Sequence, residues 1–220
     1  MSRAKIIAVA LAATLVAAAA GWWAYGEHQK RELRKAIVAL VADTGARMRG
    51  ALTATAEGPE AARKLEEDTA AADRNLAELK RMNAAREPAL ADAADDYLLT
   101  SREILKRLAD VQRYRQLLSE SLPALLEHMR ADNRTGAWVQ EAVKARERAN
   151  KDHRGLGLAT GALDPLLQSF PASQKKIAPH VDPSVMIEDG VVDAARARAL
   201  ETAKQAAAGF EKTRQLDAFR

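Results

Sequence analysis

The stretch from Leu90 to Val111 reads LADAADDYLLTSREILKRLADV. Apolar or small side chains recur at steps of four and three, at Leu90, Ala94, Tyr97, Ser101, Ile104, Leu108 and Val111, with Leu98 and Leu105 widening the stripe. That spacing keeps one face of an α-helix toward a partner. Arg102, Glu103, Lys106, Arg107 and Asp110 fall on the other side, in water. The seven-residue rhythm is that of a coiled-coil seam. Past Val111 the seam continues through Leu118, Leu122, Leu125 and Met129, except that Arg115 falls on it. Pro123 either kinks one long helix or sits in the first turn of a new one capped by Ser121.

Upstream, Ile37, Val41, Thr44, Met48 and Leu52 repeat at helical spacing, and Gly58-Pro59 ends that run. Pro59 suits the first turn of a second helix. Its thin seam is Leu65, Ala72, Leu76, Leu79 and Met82, and it stops near Arg86-Glu87-Pro88, because the residue before a proline avoids helical geometry. Downstream, 132–136 has the composition of a turn, and Trp138, Val139, Ala142 and Val143 mark another helix to about Asn150.

Gly155, Gly157, Gly161, Pro165, Pro171, Pro179 and Pro183 then predict a segment broken into loops and short helical turns, from 151 to 190. Asp164-Pro165 and Asp182-Pro183 have the pattern of a cap followed by a first-turn proline. A last amphipathic helix over 191–217 carries Val192, Ala195, Ala199, Ala203, Ala206 and Phe210.

The run from Ile6 to Tyr25 carries no charge. As a helix, twenty residues at ~1.5 Å each span ~30 Å, the thickness of a bilayer core. Trp22, Trp23 and Tyr25 stand where aromatic side chains settle at a membrane–water interface, which favours a retained anchor. The rival is a cleaved signal peptide, with the basic start at 1–5, an apolar middle and Ala18-Ala19-Ala20 as cleavage site. Arg3 and Lys5 argue for a cytoplasmic N-terminus, whereas Lys30, Arg31, Arg34 and Lys35 argue the reverse. Long downstream domains translocate largely regardless of such charges, so a single-pass inner-membrane protein with its soluble part in the periplasm is expected.

Hydrophobic residues make up 48% of the chain and aromatics only 4%, so its apolar content is mostly Ala and Leu, which favours helix over a broad β core. Net charge is +4, two units of it from Arg3 and Lys5, too mild and too scattered for a nucleic-acid surface. The absence of cysteine excludes disulfides, thiolate metal sites and a Cys nucleophile.

Catalytic constellations are lacking. The glycines at 155, 157 and 161 have neither the preceding strand nor the Gly-Lys-Ser/Thr ending of a phosphate loop. His28, His128, His153 and His180 lack metal-pair spacing, and no serine sits in a Gly-x-Ser-x-Gly elbow. Asp92, Asp95 and Asp96 open the central helix, where its dipole alone accounts for carboxylates.

The expectation is therefore an all-α, non-enzymatic protein without cofactor or metal. An N-terminal transmembrane helix precedes an elongated helical hairpin or bundle with coiled-coil-like seams over 27–150. It acts as an envelope or protein-interaction scaffold on membrane lipid, pairing with itself or another envelope protein and not with nucleic acid. Self-association follows if the seams are too narrow to cover one another. The alternative is a ligand-sensing bundle with a separate signalling partner, its pocket near Tyr97, Tyr114 and Trp138.

Overall fold

The computed structural model describes residues 3–130 and 136–215, with side chains described over 21–128 and 136–214. Five α-helices account for nearly all of them: α1 (Arg3–Thr53), α2 (Pro59–Arg81), α3 (Pro88–Arg130), α4 (Gly136–Ile177) and α5 (Asp189–Gln215). No strand occurs among the described residues. Short connections make successive helices antiparallel. Helix α3 packs against α2 and α4, α4 against α5, and the second half of α1 closes the bundle against α2, α3 and α5.

The predicted stripe is the core. Leu90, Ala94, Tyr97, Leu98, Ser101, Ile104 and Leu105 are all fully buried, and Ile37, Val41, Thr44, Met48 and Leu52 of α1 are buried with them. Phe170, Leu163 and Leu167 of α4 complete the layer, with the Tyr97 and Phe170 ring centroids 5.6 Å apart. Arg115, the charge that falls on the seam, is half-buried and held by Glu57 (2.5 Å) and the Thr202 hydroxyl (2.7 Å). Of the two expected forms, hairpin or bundle, the helices form the bundle; it has its own core, so the argument for self-association from narrow seams loses its premise.

Two expected boundaries move and one open alternative is settled. Helix α2 stops at Arg81, and a 3₁₀ turn at Ala84–Arg86 leads into Pro88. Helix α3 runs unbroken through Pro123. The largest correction is that 151–177 is not loops but the second half of α4, which passes through Gly155, Gly157, Gly161, Pro165 and Pro171. One of its glycines answers packing rather than turning: a Cβ on Gly155 would overlap the Tyr114 ring of α3, whereas Gly157 and Gly161 meet nothing within 4 Å. Asp164 is no cap but a mid-helix partner of Arg196 at 2.6 Å. The predicted breaks hold only over 178–188, where 3₁₀ turns at Ala178–His180 and Pro183–Val185 bring the chain to α5, and Asp182 caps the second by accepting from the Ser184 N–H. The turn predicted at 132–136 falls mostly outside the described residues, as do 216–217 of the predicted last helix.

Arginines and a glutamine tie down the connections. Arg49 donates to the carbonyls of Ser184 (2.7 Å) and Met186 (2.8 Å), and Arg198 donates to those of Leu52 and Ala54 at the end of α1. Buried Gln174 pairs both ways with the Ile187 backbone, at 2.6 and 3.0 Å. Buried Asp68 of α2 accepts from Arg47 (3.0 Å) and Lys64 (3.1 Å), so its charge is compensated where water is excluded.

Gly155→Ala forces the Tyr114 ring off α4 and is expected to destabilise the bundle by about 1–3 kcal/mol, the range for overpacking. Gly157→Ala meets nothing within 4 Å and replaces a poor helix former, so it is expected to be neutral or to stabilise by up to ~1 kcal/mol. Urea unfolding of the two variants measures the contrast.

Candidate functional site

The aromatic residues singled out in the sequence do not converge. Tyr97 lies in the main core, whereas Tyr114 is seventeen residues further along α3, ~25 Å away, in a smaller cluster with Val111, Leu118 and Leu156. Trp138 opens α4 a comparable distance beyond Gly155, the residue that faces Tyr114. The pocket expected near all three therefore has no common locus. Trp22, Trp23 and Tyr25 lie on α1 and are 83%, 70% and 62% exposed.

Tyr97 is a core residue with an unpaid hydroxyl. Its O–H is buried without a hydrogen-bond partner, close against Gly45 of α1, and burial pushes its pKa up to about 12. Ser101, one turn on, has its hydroxyl buried unpartnered as well. His153 of α4 is the other such group. Both ring nitrogens lack partners, and the imidazole rests against the backbone of Gly209 in α5, where a Cβ would come within 2.9 Å of Nδ1 and Nε2. Burial lowers its pKa from 6.5, opposed only by the charge of neighbouring Asp152. Among the described residues no three His, Cys, Asp or Glu side chains gather as a metal site, and Asp96 of the acidic trio pairs with Lys176 at 3.1 Å.

The place where all five helices meet is a cavity of about 160 Å³. Leu52 closes it from α1, Leu65 from α2, Leu108 and Val111 from α3, Leu163 from α4 and Ala195 and Ala199 from α5. Much of the lining is small, with Gly50, Ala51, Ala61, Ala195 and Ala199 among it, and such residues leave space between the helices unfilled. Three cations, Lys64, Arg115 and Arg198, border it against one carboxylate, Asp68. Gln112 stands in the wall with its side-chain oxygen buried and unpartnered. The lining offers an apolar body with a cationic edge.

A wider cleft of about 510 Å³ follows the outer halves of α3 and α4 between Tyr114 and His128. Its walls mix charges of both signs, among them Arg113, Glu120, Glu141, Lys144 and Asp152. Small clusters join the two helices there, Leu125 with Ala145 and Ala149, and Leu118 with Leu156. Neither opening was legible as a site, because each is made by residues from different helices with no shared motif.

The chain matches no protein-family model, no curated protein and no solved structure.

Two outcomes follow for the buried polar groups. Tyr97→Phe removes a buried hydroxyl whose approach to the Ser101 hydroxyl falls short of a well-formed hydrogen bond, so it is expected to leave stability unchanged or raise it by ~1 kcal/mol in thermal unfolding. For His153 the folded-state pKa lies below 6.5, so the unfolded chain takes the proton first and stability falls as pH drops below about 6.5. His153→Phe keeps a ring against Gly209 and should flatten that slope between pH 7.5 and 5.5, read from urea midpoints.

Proposed function

We propose that this chain is a single-pass, membrane-tethered helical scaffold whose bundle stands in the periplasm and engages another envelope protein or a second copy of itself. The observation that carries this reading is the continuity of α1. One helix, Arg3–Thr53, contains both the uncharged run 6–25 and the buried face Ile37, Val41, Met48 and Leu52. Among the described residues no helix is long and apolar enough to cross a membrane, and 6–20 of the proposed anchor lie outside the described side chains. Support comes from the sequence of that run and from the exposed ring cluster Trp22, Trp23 and Tyr25 that follows it. The bundle grips α1 from Gln29 onward, through the Gln29–Arg86 hydrogen bond and the Lys30–Glu87 ion pair at 3.5 Å. A tether built into the bundle's own core holds it at a fixed distance from the lipid instead of on a flexible leash. The outer ends of α3 and α4, with Leu126 and Val139 about half exposed, are then the part furthest from the membrane.

A ligand-responsive bundle is the second reading, and the five-helix cavity is what favours it. Its pocket is not the one expected between the aromatics.

The cysteine-free sequence makes the topology directly measurable. In cells with a permeabilised outer membrane, Val139→Cys is expected to react with a membrane-impermeant maleimide, while Ser2→Cys reacts only after the inner membrane is lysed. A C-terminal alkaline phosphatase fusion should be active in the same cells. Protection of Val139→Cys, with a reporter active only in its cytoplasmic form, would reverse the orientation. Light scattering of the full chain in nanodiscs separates the two partners: a dimer supports self-pairing, a monomer another envelope protein.

A further inference from the structure

We infer that the five-helix cavity is a binding site for a small amphipathic carboxylate, with its apolar body among the leucines and its carboxylate on Arg115 in the place Glu57 now holds. The site does not depend on the tether, since every residue in it belongs to the bundle.

Size comes first. A cavity of roughly 150 Å³ accepts a guest as large as benzene, and this one measures about 160 Å³. Leu52, Leu65, Leu108, Val111 and Leu163 surround it, so the guest's body is apolar.

Charge decides its head group. Of the three bordering cations, Lys64 is engaged by buried Asp68, and Arg198 is engaged by the carbonyls of Leu52 and Ala54. Arg115 alone holds a replaceable partner. Its Nη2 donates to the Thr202 hydroxyl of α5, which fixes the guanidinium plane, while Nη1 donates to Glu57 at 2.5 Å. Glu57 lies in the connection between α1 and α2, with its side chain 65% exposed. An ion pair so open to water contributes little, on the order of 0–1 kcal/mol. A ligand carboxylate that also buries an apolar body gains the transfer of that body, and so can displace it. Glu57 does not itself line the cavity; its carboxylate marks the position at the rim where an anion meets Arg115. Gln112, whose buried side-chain oxygen lacks a partner and whose amide reaches the Ala56 carbonyl only at 3.5 Å, borders the same space. Cations outnumber carboxylates three to one in the lining, which disfavours a cationic guest, and a bulky lipid would exceed the volume.

Benzoate is the probe, with benzyl alcohol as its uncharged counterpart and acetate as its headgroup alone, each titrated by NMR into the full chain in nanodiscs. Benzoate is expected to bind more tightly than either control. Glu57→Gln removes the internal competitor and should tighten benzoate several-fold without affecting benzyl alcohol. Arg115→Gln should weaken benzoate at least tenfold, and Ala195→Leu, which fills the cavity, should abolish binding of both aromatic probes. Glu57 is exposed, so its variant tests the site even if Arg115→Gln unfolds. Equal affinity for benzoate and benzyl alcohol, or no gain from Glu57→Gln, would overturn the carboxylate assignment. Binding of neither aromatic to any variant would overturn the site itself, leaving the membrane topology to be judged on its own experiment.

Discussion

Three rings and three glycines set how closely this bundle can pack. Tyr97 meets Gly45, Tyr114 meets Gly155 and His153 meets Gly209, each pair bridging two different helices. A bundle whose apolar content is mostly Ala and Leu has little volume with which to fill its seams. Placing a ring where the opposite backbone is bare fills them without widening the spacing between helices. The cost is at the ring edges: the Tyr97 hydroxyl and both His153 nitrogens are enclosed without partners, since bare backbone within a helix has its own hydrogen bonds already made. Packing is thus obtained at the expense of polar satisfaction, and the resulting strain falls on two titratable groups.

Electrostatics closes what packing leaves open. The connections between helices carry few apolar contacts, and guanidinium groups hold them by donating to backbone carbonyls, Arg49 to the turn at Pro183–Val185 and its flank, Arg198 to the end of α1. Arginine suits this role because its fork of donors can serve two carbonyls at once. Glycine at 58, with φ at 103°, lets the chain reverse before Pro59, a backbone conformation other residues resist. Helix α1 is consequently fixed along its bundle half by core burial and at its end by a side chain from α5.

The stripe at Leu90 to Val111 was legible because periodicity reports burial directly, and every fully buried member of it was read correctly from spacing alone. The second half of α4 was not. Glycine and proline mark turns when local preference rules, but at Gly155 the absent side chain is a contact made by α3, which lies about forty residues back in the chain. Local rules cannot see a partner. Pro165 and Pro171 are tolerated because α4 is clamped on both sides by α3 and α5, so the lost hydrogen bonds fall within a helix that tertiary packing already holds. The same limit hid the cavity: Glu57, Arg115 and Thr202 come from three segments, and only Arg115 gave a sign, as the one charge on an otherwise apolar seam.

The cavity and the proposed tether are linked by one element. The last turns of α1 line the cavity through Gly50, Ala51 and Leu52, and Trp22 stands thirty residues earlier on the same helix, ~45 Å away. A continuous helix does not stretch, so whatever shifts its end against α5 moves the other end as a rigid body or not at all. The grip at Gln29, Lys30 and the buried face from Ile37 to Leu52 opposes such movement along most of the bundle. Side chains that resist it least are those around the cavity, where alanines leave space and Glu57 is held by a solvent-exposed pair. Occupancy of the proposed site would therefore be felt first in the connection from α1 to α2, which is neither buried nor helical, and not along α1 itself.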